Sequence, residues 1–220
     1  MNTSRRILVV FATLLIVSGS TYANTLLTAN LTTNQEPGNI VLTTSTGAPR
    51  PTSFGIATFN LNDAMTAMTF SATVFNIDFT GTQTADTNDN LVNAHIHAAP
   101  TAGAATFPVV WGFIGSPFND NNPNDMVLTP FATGVGGTVS GKWDAPEGNG
   151  TTLTAQIPNI LAGRSYINFH TVQFTGGEIR GAIVAAPDNG TTAVLLGGAL
   201  LPLAWLHRRL KGRRRIFFSC

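Results

Sequence analysis

The chain has 220 residues, of which 43% are hydrophobic and only 10% charged, with 22 Gly, 12 Pro and one Cys. Globular domains average about 25% charged residues, so this surface is built mainly from Thr, Asn, Ser and Gly. Cys220 alone excludes an intrachain disulfide and a Cys-based zinc site. The formal charge of +1 hides an asymmetry, because eight of the 12 basic residues lie at the two ends. Between Asn24 and Ala186 only Arg50, Lys142, Arg164 and Arg180 face ten acidic residues, a balance of −6. A body this acidic lacks the cations that neutralise phosphates, so nucleic-acid binding is excluded as a function class.

Residues 1–23 read as a secretory signal. Arg5 and Arg6 form its positive start, residues 7–17 its apolar run, and residues 18–23 a small-residue cleavage region ending at Ala23. This 11-residue run falls short of the ~20 residues that cross a bilayer, which favours removal over permanent anchoring.

Residues 24–185 read as one all-β domain. Strands are expected at 26–32, 40–44, 54–61, 67–77, 92–98, 109–114, 126–129, 137–143, 152–157, 166–171 and 178–185. Several alternate apolar and polar residues, as in Ile56-Ala57-Thr58-Phe59-Asn60-Leu61, and Gly, Asn, Asp and Pro separate the runs. Many short strands with polar loops predict an antiparallel Greek-key sandwich or barrel. Two loops, 86–90 and 119–125, are rich in Asp and Asn. Such loops can hold calcium, yet the first lacks the Gly and Glu of an EF-hand, and Asx turns account for both without a metal.

The body contains three histidines. In His95-Ile96-His97 the two imidazoles are two residues apart, so in a strand they share a face, opposite Ala94, Ile96 and Ala98. His170 in Tyr166-Ile167-Asn168-Phe169-His170-Thr171 obeys the same rule, with Ile167 and Phe169 turned inward and Asn168 and His170 outward. Neighbouring strands can then present His95, His97 and His170 to one point on the outer surface of the sheet. Imidazole suits copper and zinc, and three ligands leave a position open for a small molecule. The competing reading is three surface histidines with no shared task. No Gly-x-Ser-x-Gly elbow is present. Trp111 and Trp143, if exposed, are candidate sugar platforms.

Residues 186–215 form a three-part tail: Ala186-Pro187-Asp188-Asn189-Gly190, an apolar stretch at 193–206, and a basic cluster at 207–215. An apolar helix with basic residues after it stops transfer and leaves the body outside the inner membrane. The span is shorter than a stable one needs, which suits a transient anchor. The tail resembles bacterial C-terminal sorting signals of the PEP-CTERM kind, in the variant that begins Val-Pro-Asp-Ser-Gly; Ala186 and Asn189 depart from it. That resemblance implies cleavage by an exosortase-like sorting protease and an association with exopolysaccharide. The expected location is the cell surface or the extracellular space. The competing reading is a plain C-terminal membrane anchor.

His95-Ile96-His97 and Pro108-Val109-Val110, followed by Tyr166 to Thr171 and Gly176-Gly177-Glu178-Ile179-Arg180-Gly181, resemble the CHRD domain named after chordin, over about residues 25–185. The same order is similar, more distantly, to the copper-zinc superoxide dismutases. That likeness implies His95, His97 and His170 as copper ligands, Arg180 as a catalytic anion guide, and superoxide as substrate. The chain departs from that family in having no bridging His, no zinc-ligand cluster and no disulfide, so a copper-only site is what the likeness implies. An acidic body repels superoxide at long range, which counts against an efficient dismutase. A non-catalytic matrix module contacting protein or polysaccharide is the alternative.

Overall fold

The computed structural model describes residues 24–101 and 105–187. The signal expected at 1–23 and the part of the expected sorting tail from Asp188 onward, including the apolar stretch at 193–206, lie outside the described residues. Among the described residues no helix is long and apolar enough to cross a membrane.

The described residues form ten strands: β1 (Thr25–Thr32), β2 (Phe54–Leu61), β3 (Ala67–Phe75), β4 (Leu91–Ala98), β5 (Val109–Ile114), β6 (Val127–Pro130), β7 (Gly136–Asp144), β8 (Ser165–Thr171), β9 (Ile179–Ala182) and β10 (Val184–Ala185). They form one sheet in the order β5-β4-β8-β9-β1-β2-β3-β7-β6, with β10 also pairing β1. Every strand pair is antiparallel. The sheet curls into a half-barrel, so the all-β antiparallel class expected from the sequence is the one observed.

Alternation decides which side chains enter the half-barrel. Ala57, Phe59 and Leu61 of β2, Met68, Phe70, Ala72 and Val74 of β3, and Ile167 and Phe169 of β8 are all buried in one core. Trp111 and Trp143 stack within it, with centroids 5.5 Å apart and planes 8° from parallel. Both indoles are wholly buried, so neither is the exposed sugar platform considered above. Each meets its polar requirement through Glu147: Trp111 Nε1 donates to the carboxylate at 3.2 Å, and Trp143 Nε1 donates to the carbonyl at 2.8 Å.

Two expected strands take other forms. Residues 152–157 begin α1 (Leu153–Leu161) rather than a strand. The Thr152 side chain accepts from the Ala155 N–H as an N-cap, and Leu153, Ile157 and Ile160 recur at helical spacing to meet the core. Residues 40–44 form no strand beyond a single bridge between Thr43 and Pro49. There the side chain of Gln173 takes the place of a neighbouring strand. It accepts from the Thr43 N–H at 3.2 Å and donates to the Val41 carbonyl at 3.1 Å.

The Asp- and Asn-rich loops are held by main-chain donors. Asp78 accepts the N–H groups of Thr80, Gly81 and Thr84, and Asp86 accepts that of Ser45. In the second loop Glu147 accepts the N–H groups of Asn121 and Asn122, both at 2.8 Å.

Candidate metal centre

The site lies on the outer face of β4 and β8. Their register sets Asn93 opposite His170, His95 opposite Asn168, and His97 opposite Tyr166. His170 is therefore diagonal to His95, and the three imidazoles converge. Ring centroids are 4.9 Å apart for His95 and His170, 5.8 Å for His95 and His97, and 6.2 Å for His97 and His170.

The histidines face away from the core, as alternation requires, but they are not on an open surface. His95, His97 and His170 retain 4%, 8% and 5% of their exposure. Alternation determines the face of a strand residue and says nothing about what a loop lays over it. Three loops cover the rings, and each contributes one carbonyl. His95 donates from Nε2 to Ser116 at 3.1 Å, His97 from Nδ1 to Phe107 at 2.8 Å, and His170 from Nδ1 to Thr175 at 2.9 Å.

These carbonyls fix the tautomers, because a carbonyl only accepts and the ring nitrogen facing it must carry the proton. In a neutral imidazole the other nitrogen is then a bare lone pair. The bare atoms are His95 Nδ1, His97 Nε2 and His170 Nε2. His95 Nδ1 and His170 Nε2 face each other at 3.2 Å, and His97 Nε2 is buried without a partner. One ring nitrogen from each histidine lies within 4.8 Å of the others, and no other group of His, Cys, Asp or Glu among the described residues could hold a metal ion in this way.

Electrostatics keeps the rings neutral. Burial, with the charges of His170 and His97 behind it, pushes His95 down to about 4. Burial also pushes His97 down to about 4, aided by His170 and Arg180, and burial lowers His170. Three neutral imidazoles with convergent lone pairs are what a first-row metal ion requires of its ligands.

The close cover over His95 depends on Gly112 of β5. A Cβ there would stand 1.8 Å from the Pro117 carbonyl oxygen and 3.0 Å from His95 Cδ2. Glycine thus lets the 115–119 loop fold down until Ser116 reaches the ring.

Tyr166 packs flat on His97, with centroids 4.6 Å apart and an interplanar angle of 13°. Its hydroxyl accepts the Phe107 N–H at 3.2 Å, holding the residue whose carbonyl caps His97. Arg180 lies over Tyr166, 4.7 Å from its centroid. Its guanidinium donates to the Gln35 and Ala105 carbonyls and lines a surface cleft of about 250 Å³ with Tyr166 and Phe107. Arg180 is therefore one ring removed from His97. It does not pair with Glu178, its neighbour two residues before, because that carboxylate belongs to Arg50.

Glu178 is fully buried and forms an ion pair with Arg50. Ser53 also donates to it, and Thr171 Oγ1 donates at 2.6 Å. Arg50 further donates to Gln173 Oε1 from Nη2 at 3.0 Å. This network braces the 172–177 loop that presents the Thr175 carbonyl to His170.

Sequence reasoning missed Tyr166 and Asn168 as parts of the site, although both share the period-two face with His170. Asn168 is buried, and its Oδ1 has no partner. The carbonyls of Ser116, Phe107 and Thr175 leave no sequence signal, since any residue type carries one.

Fold and site define the class: an antiparallel β half-barrel with a loop-covered, three-histidine centre on the outside of its sheet. A family model described as the CHRD domain matches residues 27–183, and the chain belongs to this family. The CHRD domain is an extracellular type of module. No curated protein and no solved structure matches the chain.

Proposed function

We propose that this CHRD protein is exported and holds one copper ion through His95 Nδ1, His97 Nε2 and His170 Nε2, with superoxide dismutase-like activity. The observation that carries the reading is the tautomer pattern: three carbonyls hold three ring protons, and three bare nitrogens converge. Copper supplies one-electron exchange with a small oxidant or reductant when bound. The chain's own residues orient the ligands, keep them deprotonated and cover them. Arg180 adds positive charge at the adjoining cleft, in keeping with a role as anion guide. The His-x-His strand, the later single His and the Arg before the last strands are the features that liken the chain to copper-zinc superoxide dismutases.

The proposed export route uses the signal at 1–23 and the sorting tail at 186–215, processed by an exosortase-like protease after transient anchoring by the apolar stretch. The body would then reside at the cell surface or outside the cell. The test is metal analysis of the wild-type chain and a His95→Ala, His97→Ala, His170→Ala triple variant after copper loading and gel filtration. About one copper per chain in the wild type and none in the variant is expected, followed by a superoxide assay on the loaded protein. Equal copper in both rejects the site.

A second reading, a non-catalytic matrix module in contact with exopolysaccharide, is favoured by the opposite part of the sheet. The outer face of β1–β3 and β7 carries Asn30, Thr58, Ser71, Thr73 and Thr138, with Phe54 and Phe75 exposed and stacked at 4.8 Å. Co-sedimentation with a neutral polysaccharide, lost on Phe54→Ala with Phe75→Ala, would support it. No co-sedimentation would remove it.

A further inference from the structure

We infer that the three-histidine site selects a monovalent soft cation, Cu(I), over the divalent ions Cu(II) and Zn(II). The inference rests on the metal-binding reading above and adds the charge state of the ion. Imidazole by itself accepts copper in either state and zinc, so ligand type does not decide between them. Charge does.

The outer nitrogens of all three rings are held by main-chain carbonyls, those of Ser116, Phe107 and Thr175. In many metal sites a carboxylate takes that place and contributes a negative charge. Among the described residues no Asp or Glu hydrogen-bonds or ion-pairs with His95, His97 or His170. The charged side chain acting on His97 is a cation, Arg180, stacked beyond Tyr166. Glu36, the acid of the neighbouring turn, lies beside Arg180, and its Oε1 borders with the Asn168 amide the space that a Cβ on Gly177 would fill, without a hydrogen bond to any of the three histidines. Thus the metal's own charge is the net charge of the ligand set.

The cost of taking an ion out of water rises with the square of its charge, roughly fourfold from one unit to two. The three ligand residues are each less than a tenth exposed, so a divalent ion must bring an anion from solvent to be neutralised. A monovalent ion needs none, and three imidazole nitrogens complete a trigonal Cu(I) set. The 3.2 Å between His95 Nδ1 and His170 Nε2 suits ligands at about 2.0 Å around a trigonal or a tetrahedral centre alike, so charge rather than ligand spacing makes the selection.

The test uses the full chain without oxygen, titrated with Cu(I) against bicinchoninate, and separately with Cu(II) and Zn(II) against a colorimetric chelator at the same pH. Cu(I) is expected to bind one per chain with a Kd at least 100-fold below those of Cu(II) and Zn(II). Asn168→Asp places a carboxylate opposite His95 and two residues from His170, and is expected to narrow that preference at least tenfold. Equal or tighter binding of Cu(II) or Zn(II) by the wild type would overturn the charge selectivity while leaving the metal site standing. Uptake of none of the three ions would overturn the site itself.

Discussion

Tyr166 lies flat against His97, 4.6 Å between centroids, while its hydroxyl holds the N–H of the residue that caps the same imidazole. One side chain thereby fixes His97 through its face and through its carbonyl partner. Tyr166→Ala removes both supports, and metal affinity should fall about 10–100-fold, the usual cost of losing an orienting partner. Tyr166→Phe keeps the face and loses the hydroxyl acceptor, so a loss below about tenfold is expected. Competition titration of the two variants separates these contributions. Equal affinity in wild type and Tyr166→Ala would show that His97 needs no such support.

At Gly112 an added methyl would meet the Pro117 carbonyl oxygen at 1.8 Å, and that atom is main chain. The 115–119 loop must therefore lift away, taking the Ser116 carbonyl from His95. Gly112→Ala should destabilise the domain by about 1–3 kcal/mol, as overpacking does. Urea unfolding reads the stability. The His95 Nε2–H resonance should lose its protection from solvent exchange in the same variant. Retention of that protection would show that the cap does not depend on the glycine.

The strand pattern was legible because most strands have one clearly apolar face. Phe54–Leu61 falls where alternation places it, and Val109–Ile114 where a continuous apolar run does. The histidine trio was also legible, since period two sets His95 with His97 and Asn168 with His170. Burial of the trio was not, because the covering atoms are loop carbonyls. Residues 152–157 misread as a strand because Leu153, Ala155 and Ile157 alternate with Thr154 and Gln156 at period two, while a nine-residue helix shows its own period over only about two and a half turns. Arg180 and Glu178 share a strand face in the sequence, yet the partner of Glu178 is Arg50, 128 residues distant. Only the fold brings that pair together.

The ion pair of Arg50 and Glu178 is buried on both sides, so removing one member leaves an uncompensated charge. Arg50→Met should cost about 3–5 kcal/mol, and the double variant Arg50→Met with Glu178→Gln should recover a substantial part of that loss. Arg50 also holds Gln173 in the loop that caps His170. The double variant should therefore regain stability while metal affinity stays below the wild-type value. Denaturant unfolding and metal competition on the same three proteins check both halves. Full recovery of affinity would sever Arg50 from the metal centre.

Glu36 gives a prediction that separates by pH. Burial pushes its carboxyl from the ordinary 4.5 up to about 7, against the pull of Arg180. Between those values the folded protein holds a proton that the unfolded chain has released. Unfolding free energy therefore falls as pH rises through this window. Glu36→Gln removes the titration and keeps the shape. The variant should be the more stable protein at pH 8, by up to about 3 kcal/mol, with the gap shrinking progressively toward pH 4.5. Asp120, raised by burial to about 6, and the depressed histidines titrate over overlapping ranges. Their contributions are common to both proteins and cancel in the difference. Urea unfolding of wild type and variant at half-unit pH steps measures that difference directly, and a gap constant with pH would mean that Glu36 does not titrate within the window.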